Sequence, residues 1–550
     1  MSKSKGKAAT SPHGMVSTAS PWATEAGVEM LEKGGNAVDA AVAAAFCLGV
    51  TEPQASGLGG QSMILLHRAA GGDPLTIALD GSSRAPFGVD PTRLPGQPLK
   101  QGLRSATVPS TPAALGYLLE TYGTLPLEEV LRPSIRAAEE GFRLSALQHT
   151  LLCRESQHLR QDEGVLSVFF REGAPRKAGE TVRQPQLAAC LGQMAGKGWR
   201  DFYLGGIGER ILQDMEDRGG WISQVDLSKV PLPVQREPLK GSYRGYGLET
   251  FPPPGAGRAL FQILNILEGF TPRELAPDTP RFYLILALAF HAALMNRERF
   301  PVDPVLYPQM PDRRMTGKDN AAPIVRRIRK VLQLPEGEGF SPPPTAGETT
   351  HLSVADAAGN MVGITQSIEL VFGSKTMASG LGFFYNNYMS AFNYKDMMHP
   401  YYLVPGGRPY SSVAPTLVRR GDGRPHLLLG SPGSERISTA LSQVLTRVLD
   451  AGQDLEGAIR APRLHAGSVR KVMVERGIHR PEVVEALEDA GFQVSDRGPS
   501  SFYMGCVQAV ELPEAGGGSF AGVSDPRRDG TARGPAAGKR TLGPANGKAE

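Results

Sequence analysis

Thr349, Thr350 and His351 open a run, Thr349–Ala355, in which polar and apolar side chains alternate. A second alternating run, Met361–Ile368, follows the turn-rich stretch Asp356-Ala357-Ala358-Gly359-Asn360. Two such runs about a short turn predict a half-exposed β-hairpin. Pairing symmetric about Ala358 sets Leu352 against Ile364 and Val354 against Val362 on an apolar face. The other face then carries Thr349, His351 and Ser353 opposite Ser367, Thr365 and Gly363. A free threonine is a poor nucleophile, but a chain cut just before Thr349 would supply an α-amine to activate the same residue's hydroxyl. Ser367 would stand across from it. His351 reads as a strand side chain, since the new amine can act as base. A Thr-rich hairpin is also simply a good hairpin, and a one-residue slip would undo the Thr349 to Ser367 pairing. The pattern alone leaves both readings open.

These strands need a frame. Ser20-Pro21 starts a helix that Gly34-Gly35 ends after Lys33, and Asn36, with Asp39 in the first turn, caps a second. From Ala37 to Leu48 that second helix is apolar nearly all round, as a helix packed on both sides must be. Glycines 57, 59 and 60 form a tight loop before a strand-length run, Met63 to Leu66. Helical and strand-like segments then alternate to about Lys330, the pattern of an α/β chain. Residues Ser341 to Glu348 contain three prolines and read as an exposed linker or lid. Short strands follow, His426 to Leu429 among them, and Gly534 to Glu550 reads as a disordered tail.

Composition excludes several classes. The 550 residues, 41% hydrophobic and 21% charged, are ample for a core without disulfides or metals. A net charge of +4 is too small for a nucleic-acid binder, and Arg326-Arg327-Ile328-Arg329-Lys330 reads as a solvated helix face. Cys47, Cys153, Cys190 and Cys506 are scattered, without metal-ligand spacing, and are expected as reduced thiols. Met1 to Gly14 lacks an apolar core of signal-peptide length, and Ala40 to Val50 is too short to span a bilayer. A cytoplasmic protein without membrane partners is expected. Gly373-Ser374-Lys375-Thr376 has Glu369 where a phosphate loop needs its first glycine. Gly57-Leu58-Gly59-Gly60-Gln61-Ser62 misses the third glycine of a dinucleotide fingerprint, so no cofactor is implied.

Several blocks together resemble the γ-glutamyltransferase family of N-terminal nucleophile hydrolases. They are Gly34-Gly35-Asn36-Ala37-Val38-Asp39-Ala40-Ala41, Glu52-Pro53, Ser56-Gly57-Leu58-Gly59-Gly60, Phe251-Pro252-Pro253-Pro254 and Thr349-Thr350-His351 with Gly359-Asn360. Asn386-Asn387, Pro409-Tyr410-Ser411-Ser412 with Ala414-Pro415-Thr416, Gly430-Ser431-Pro432-Gly433 and Asp525-Pro526-Arg527-Arg528 with Gly530 complete the set. The resemblance implies an α/β chain with a four-layer αββα fold, made as a precursor that cuts itself between Glu348 and Thr349. Residues 1–348 and 349–550 would then be two subunits of one interlocked unit. It makes Thr349 the nucleophile, Ser367 its supporting hydroxyl, and Ser411 and Ser412 binders of the substrate carboxylate. Gly433 and Ser434 take the places of the two oxyanion-hole glycines, an assignment that Ser434 satisfies unless the backbone there needs a positive φ.

The glutamyl-binding positions differ from the family pattern. Ser82 stands in the place of the carboxylate-clamping arginine, with Arg84 two residues on as a displaced cationic group. Tyr388, Ala391 and Glu369 stand where Gln or Glu, an acid and Asn are usual. The expected activity is hydrolysis of a small amide, or transfer of its acyl group to water or an amine acceptor, without metal or cofactor; a homo-oligomer is compatible with it. The acyl group is γ-glutamyl, as in glutathione metabolism, or another small carboxylate-bearing acyl. A non-catalytic homologue acting as a binding protein is the alternative of a different class.

Overall fold

The hairpin is the centre of a seven-stranded sheet. A computed structural model describes residues 7–69, 74–94, 97–297, 303–308, 316–332, 348–514 and 517–536. Its first sheet runs Thr531–Arg533, Gly14–Thr18, Glu348–Asp356, Met361–Glu369, Gln61–Arg68, Leu75–Gly81, Val234–Arg236, antiparallel at every step. A second seven-stranded antiparallel sheet runs Ala8–Ser11, Phe520–Ser524, Gln508–Glu511, Pro425–Gly430, Thr416–Arg419, Tyr246–Thr250, Leu239–Tyr243.

Three apolar clusters define four layers. Leu352, Val354, Val362 and Ile364 turn outward against the helices Pro21–Glu32 and Ala37–Thr51 and their neighbours. Met15, Met63, Leu65, Ala355 and Met361 of the first sheet meet Leu417, Leu428 and Val510 of the second, with Phe251 just beyond its Tyr246–Thr250 strand. Leu427, Leu429 and Val418 turn from the second sheet onto the helices Gly257–Glu268, Pro280–Arg297 and Arg436–Leu449. This is the αββα arrangement, and strands from before and after residue 348 interleave in both sheets.

Four expectations change. The hairpin is not half-exposed, because its polar face meets the second sheet, and every residue of the Glu348–Asp356 strand is buried. The α/β alternation fails between Thr111 and Ser228, where the strands are two-residue pairs among helices such as Leu127–Glu140. There the chain builds an outer layer, and amphipathic helices bury Val130, Leu131, Ala137 and Ala138 inward without a sheet of their own. Glu348 is strand rather than linker, with only 4% exposed, while 341–347 lie outside the described residues. The start of the expected tail is held: Pro535 is buried and its carbonyl accepts from Ser11 Oγ at 2.9 Å, and 537–550 lie outside the described residues.

Candidate active site

The Ala37–Thr51 helix grips the Glu348–Asp356 strand at both ends. Its capping box forms as expected, Asn36 Oδ1 accepting from Val38 N and Asp39 N while Asp39 Oδ2 accepts from Asn36 N. At that end Ala37 N donates to Asp356 Oδ2 at 2.9 Å; at the other, Glu52 Oε2 accepts from Thr350 Oγ1 at 2.6 Å. A helix of 15 residues is about 22 Å long, and the six steps from Thr350 to Asp356 span about 20 Å of strand. The lengths match, so one rigid element sets both strand ends.

The ladder keeps the symmetric register from Thr350↔Gln366 to Ala355↔Met361, then slips, pairing Glu348 with Glu369. Thr349 falls in the slip, with 6% of its surface exposed. Its Oγ1 donates to Ser367 Oγ at 3.3 Å, and Ser367 Oγ donates to the Glu348 carbonyl at 2.6 Å. Glu369, at a φ of 79°, closes the end of the hairpin and donates its N–H to Ser367 Oγ at 2.9 Å. The peptide carbonyl before Thr349 is thus polarised by a hydroxyl that also contacts the Thr349 hydroxyl. That arrangement suits attack of Thr349 Oγ1 on the Glu348 carbonyl carbon.

The side chain of Glu348 is anchored too. Arg528 reaches Glu348 Oε2 at 2.7 Å and Glu52 Oε1 at 3.3 Å, all three residues buried. Burial pushes the Glu52 carboxyl up to about 6, opposed by the Arg528 charge and the Thr350 hydrogen bond. Burial disfavours the Arg528 charge, but the two carboxylates outweigh it and raise its pKa. Such a cluster is held by mutual pairing.

His351 is fully buried, its Nδ1 2.8 Å from Thr365 Oγ1 and its Nε2 3.0 Å from Ser353 Oγ, and burial lowers its pKa to about 3. It is a neutral packing residue, as its strand position implied. A Cβ on Gly430 would sit 2.3 Å from the His351 ring, which is why glycine ends the Pro425–Gly430 strand there. The loop beyond carries Gly433 and Ser434 into the helix Arg436–Leu449, with φ of 120° and 53°. Ser434 therefore does adopt the left-handed conformation that side chains resist. Among the described residues neither N–H donates elsewhere, and both precede a helix N-terminus, which favours negative charge.

Ser411, Tyr388 and Ser367 come together. The Tyr388 phenol, 1% exposed, neighbours the side chains of Ser367, Gln61 and Ser411; burial and the Glu369 charge raise its pKa, so it stays protonated. Ser411 N is held by Pro254 O at 3.2 Å, and Ser412 beside it is partly exposed. Asn386 fixes Tyr388 from behind, its Oδ1 accepting from Tyr388 N and Thr107 N. The backbone of Arg84 bridges Val108, and its charged neighbours are Arg408, Asp80 and Asp303. Ser82 Oγ donates to Asp80, which also pairs with Arg236 at 2.8 Å.

Sequence reasoning passed over Glu52, Arg528 and Gln61. The first two lie in motif blocks, which carry no local signal of pairing across hundreds of residues. Gln61 falls in the incomplete nucleotide loop of the sequence; a Cβ on its neighbour Gly60 would sit 2.4 Å from Ser367 O, so that glycine serves close strand approach. Among the described residues no group of three His, Cys, Asp or Glu side chains could hold a metal, and no helix is long and apolar enough to cross a membrane.

Residues 23–534 match the family model for gamma-glutamyltranspeptidase. The glutathione hydrolase proenzyme of Escherichia coli (strain K12) is 35% identical over 538 residues, 94% of this chain and 90% of that protein. The acylase ACY 1 proenzyme of Pseudomonas sp. (strain V22) is 33% identical over 478 residues, 83% of each. The crystal structure of cephalosporin acylase from Bacillus halodurans superposes with a TM-score of 0.86 at 27% identity, covering 96% of this chain and 97% of that one. With the fold, the blocks and these matches in agreement, the chain belongs to the gamma-glutamyltranspeptidase family of N-terminal nucleophile hydrolases, enzymes that act on amide and acyl substrates through an autoproteolytic threonine.

Proposed function

We propose that the chain cuts itself between Glu348 and Thr349 and then hydrolyses or transfers the acyl group of a small amide. The observation that carries this reading is the hydroxyl relay from Thr349 Oγ1 through Ser367 Oγ to the Glu348 carbonyl, at 3.3 and 2.6 Å. In the first step Thr349 Oγ1 bonds to the Glu348 carbonyl carbon, the C–N bond breaks, and the Thr349 nitrogen takes the hydroxyl proton. Water then hydrolyses the resulting ester, leaving a Glu348 carboxylate and a free Thr349 amine. That amine becomes the base for turnover: Thr349 attacks the substrate amide, the Gly433 and Ser434 N–H groups hold the oxyanion, and water or an amine removes the acyl group. Ser411 and Ser412 bind the acyl end, and Glu369 and Tyr388 line it.

The acyl group is the point of divergence. With Ser82 bonded to Asp80, Ala391 in place of an acid and Tyr388 against Ser411, neither charged partner of a γ-glutamyl α-carboxylate or α-ammonium stands at its usual place. Losing a charge-assisted pair on each costs a ligand several kcal/mol. These replacements favour an amidohydrolase for a non-glutamyl acyl group over a glutathione hydrolase, with Arg84 as a secondary cation for a distal carboxylate. Intact-mass analysis after native incubation tests the cut. Fragments beginning at Thr349, absent in Thr349→Ala, are expected, whereas a persistent 58.7 kDa chain identifies a non-catalytic homologue. A panel of γ-glutamyl and other acyl anilides tests turnover, and an unchanged KM in Arg84→Ala removes that residue from the site.

A further inference from the structure

Beyond Ser367 the strand Met361–Glu369 leads into a turn of unusual backbone. Glu369, Phe372, Gly373 and Lys375 are all left-handed, with φ of 79°, 57°, 49° and 63°. For the three that carry side chains this conformation is costly, so the surroundings must over-determine it. Part of the restraint comes from the neighbouring loops. Ile368 N donates to Ala55 O at 3.3 Å, Phe372 N to Gln54 O at 2.9 Å and Leu370 N to Asn387 Oδ1 at 3.0 Å. The rest comes from Lys375, which lies in the stretch that fails as a phosphate loop and whose side chain is 7% exposed. Its ammonium turns back to donate to the Val371 carbonyl and pairs with Glu155 Oε2 at 3.1 Å. Arg154 takes Oε1 of the same carboxylate at 2.9 Å. Glu155 belongs to the helix Ala146–Leu159, whose Leu151 and Leu152 share one apolar cluster with Ile368, Val371 and Phe372. That helix is itself tied down, Gln148 Nε2 donating to Thr51 O at 2.7 Å.

We infer that Lys375 and Glu155 form a positioning pair for self-cleavage, holding the 369–375 turn so that the Glu369 N–H keeps the Ser367 hydroxyl aimed at the Glu348 carbonyl. The proposal rests on Thr349 attacking Glu348. A serine hydroxyl has one hydrogen and two lone pairs. Ser367 Oγ accepts from Thr349 Oγ1 at 3.3 Å and from Glu369 N at 2.9 Å, so its hydrogen is left for the Glu348 carbonyl, at 2.6 Å. Glu369 is the first residue of the left-handed turn. A turn released from the ion pair relaxes toward ordinary backbone and draws the Glu369 N–H off Ser367. The hydroxyl is then free to rotate, and the carbonyl loses the donor that polarises it. Neither Lys375 nor Glu155 touches the reacting atoms; both act through the turn.

Three variants test the pair, with the half-time of self-cleavage read by intact mass. Lys375→Met keeps the stem and removes the ammonium, Glu155→Gln removes the opposing charge, and the double variant leaves no unpaired charge buried in the turn. Each single change is expected to lengthen the half-time about tenfold. The double variant should be about as slow as either single rather than about a hundredfold slower, since one pair can be lost only once. Leu264→Ala, fully buried in the helix Gly257–Glu268 of the opposite outer layer, serves as a control for general destabilisation. It should lower the urea midpoint at least as far as the double variant does and still cut at the wild-type rate. A double variant that cuts within about twofold of wild type, delays that multiply, or an equal delay in Leu264→Ala overturns the pair while leaving the Thr349 mechanism standing. A wild-type chain that yields no fragment beginning at Thr349 overturns both.

Discussion

The two ends of the Glu348–Asp356 strand are built on opposite principles. At the Asp356 end the ladder is regular and one carboxylate accepts four hydrogen bonds, from Ala37 N, Ala358 N, Asn360 N and Asn360 Nδ2. At the Thr349 end the register slips, Glu369 takes a positive φ, and the Thr349 hydroxyl and the Glu348 carbonyl meet through the one Ser367 hydroxyl. The helix between them couples the two, through Asp356 at one end and Glu52 at the other. A strained end persists because the opposite end over-determines where the strand lies.

Breaking the rigid end should have the largest effect on stability. Asp356→Ala strands four donors, three of them in the turn, and is expected to cost roughly 3–5 kcal/mol in urea denaturation; a loss under 1 kcal/mol would show that the helix alone holds the strand. The buried face between the ends has a pH signature. His351 ionises near 6.5 when unfolded and near 3 when folded, so its stabilisation is present above pH 6.5 and drains away as pH falls toward 3. From pH 7 to 5 this amounts to about 2 kcal/mol. His351→Gln should flatten that part of the profile by one proton, read from urea midpoints at the two pH values.

At the reactive end, Glu348→Gln keeps the shape of the anchor but removes its charge toward Arg528. The half-time of self-cleavage should lengthen about tenfold, equivalent to about 1.4 kcal/mol of activation free energy, as timed by intact mass; an unchanged half-time would make Arg528 purely structural. The smallest effect concerns backbone strain. Ser434→Gly relieves a left-handed serine but loosens the unfolded chain, for a net gain of about 0.5 kcal/mol by denaturation.

Regular elements were the legible part of the chain. The capped helix after Asn36 and the hairpin register from Thr350 to Ala355 follow from spacing, since both are local and periodic. The slip at Thr349 was not legible, because the same alternation continues through it. The helical stretch from Thr111 to Ser228 misled for a related reason: short apolar runs fit a buried strand or one face of a helix equally well. At the site, Thr349 with Ser367 and Ser411 with Ser412 could be singled out from residue type and resemblance, whereas the partners that tune them could not.

What the sequence determined by itself is the pairing of the hydroxyls proposed to react and the rigid segments that carry them, because hydrogen-bond periodicity and capping act over a few residues. Only the tertiary structure decided that Glu52, Glu348 and Arg528 share one buried cluster, that Gln61 stands beside Ser367 with a donor to spare, and that Ser434 bends left-handed. Those facts depend on strands brought together from distant parts of the chain, where burial makes each charge and each unpaired donor count, and no local pattern encodes which partner arrives.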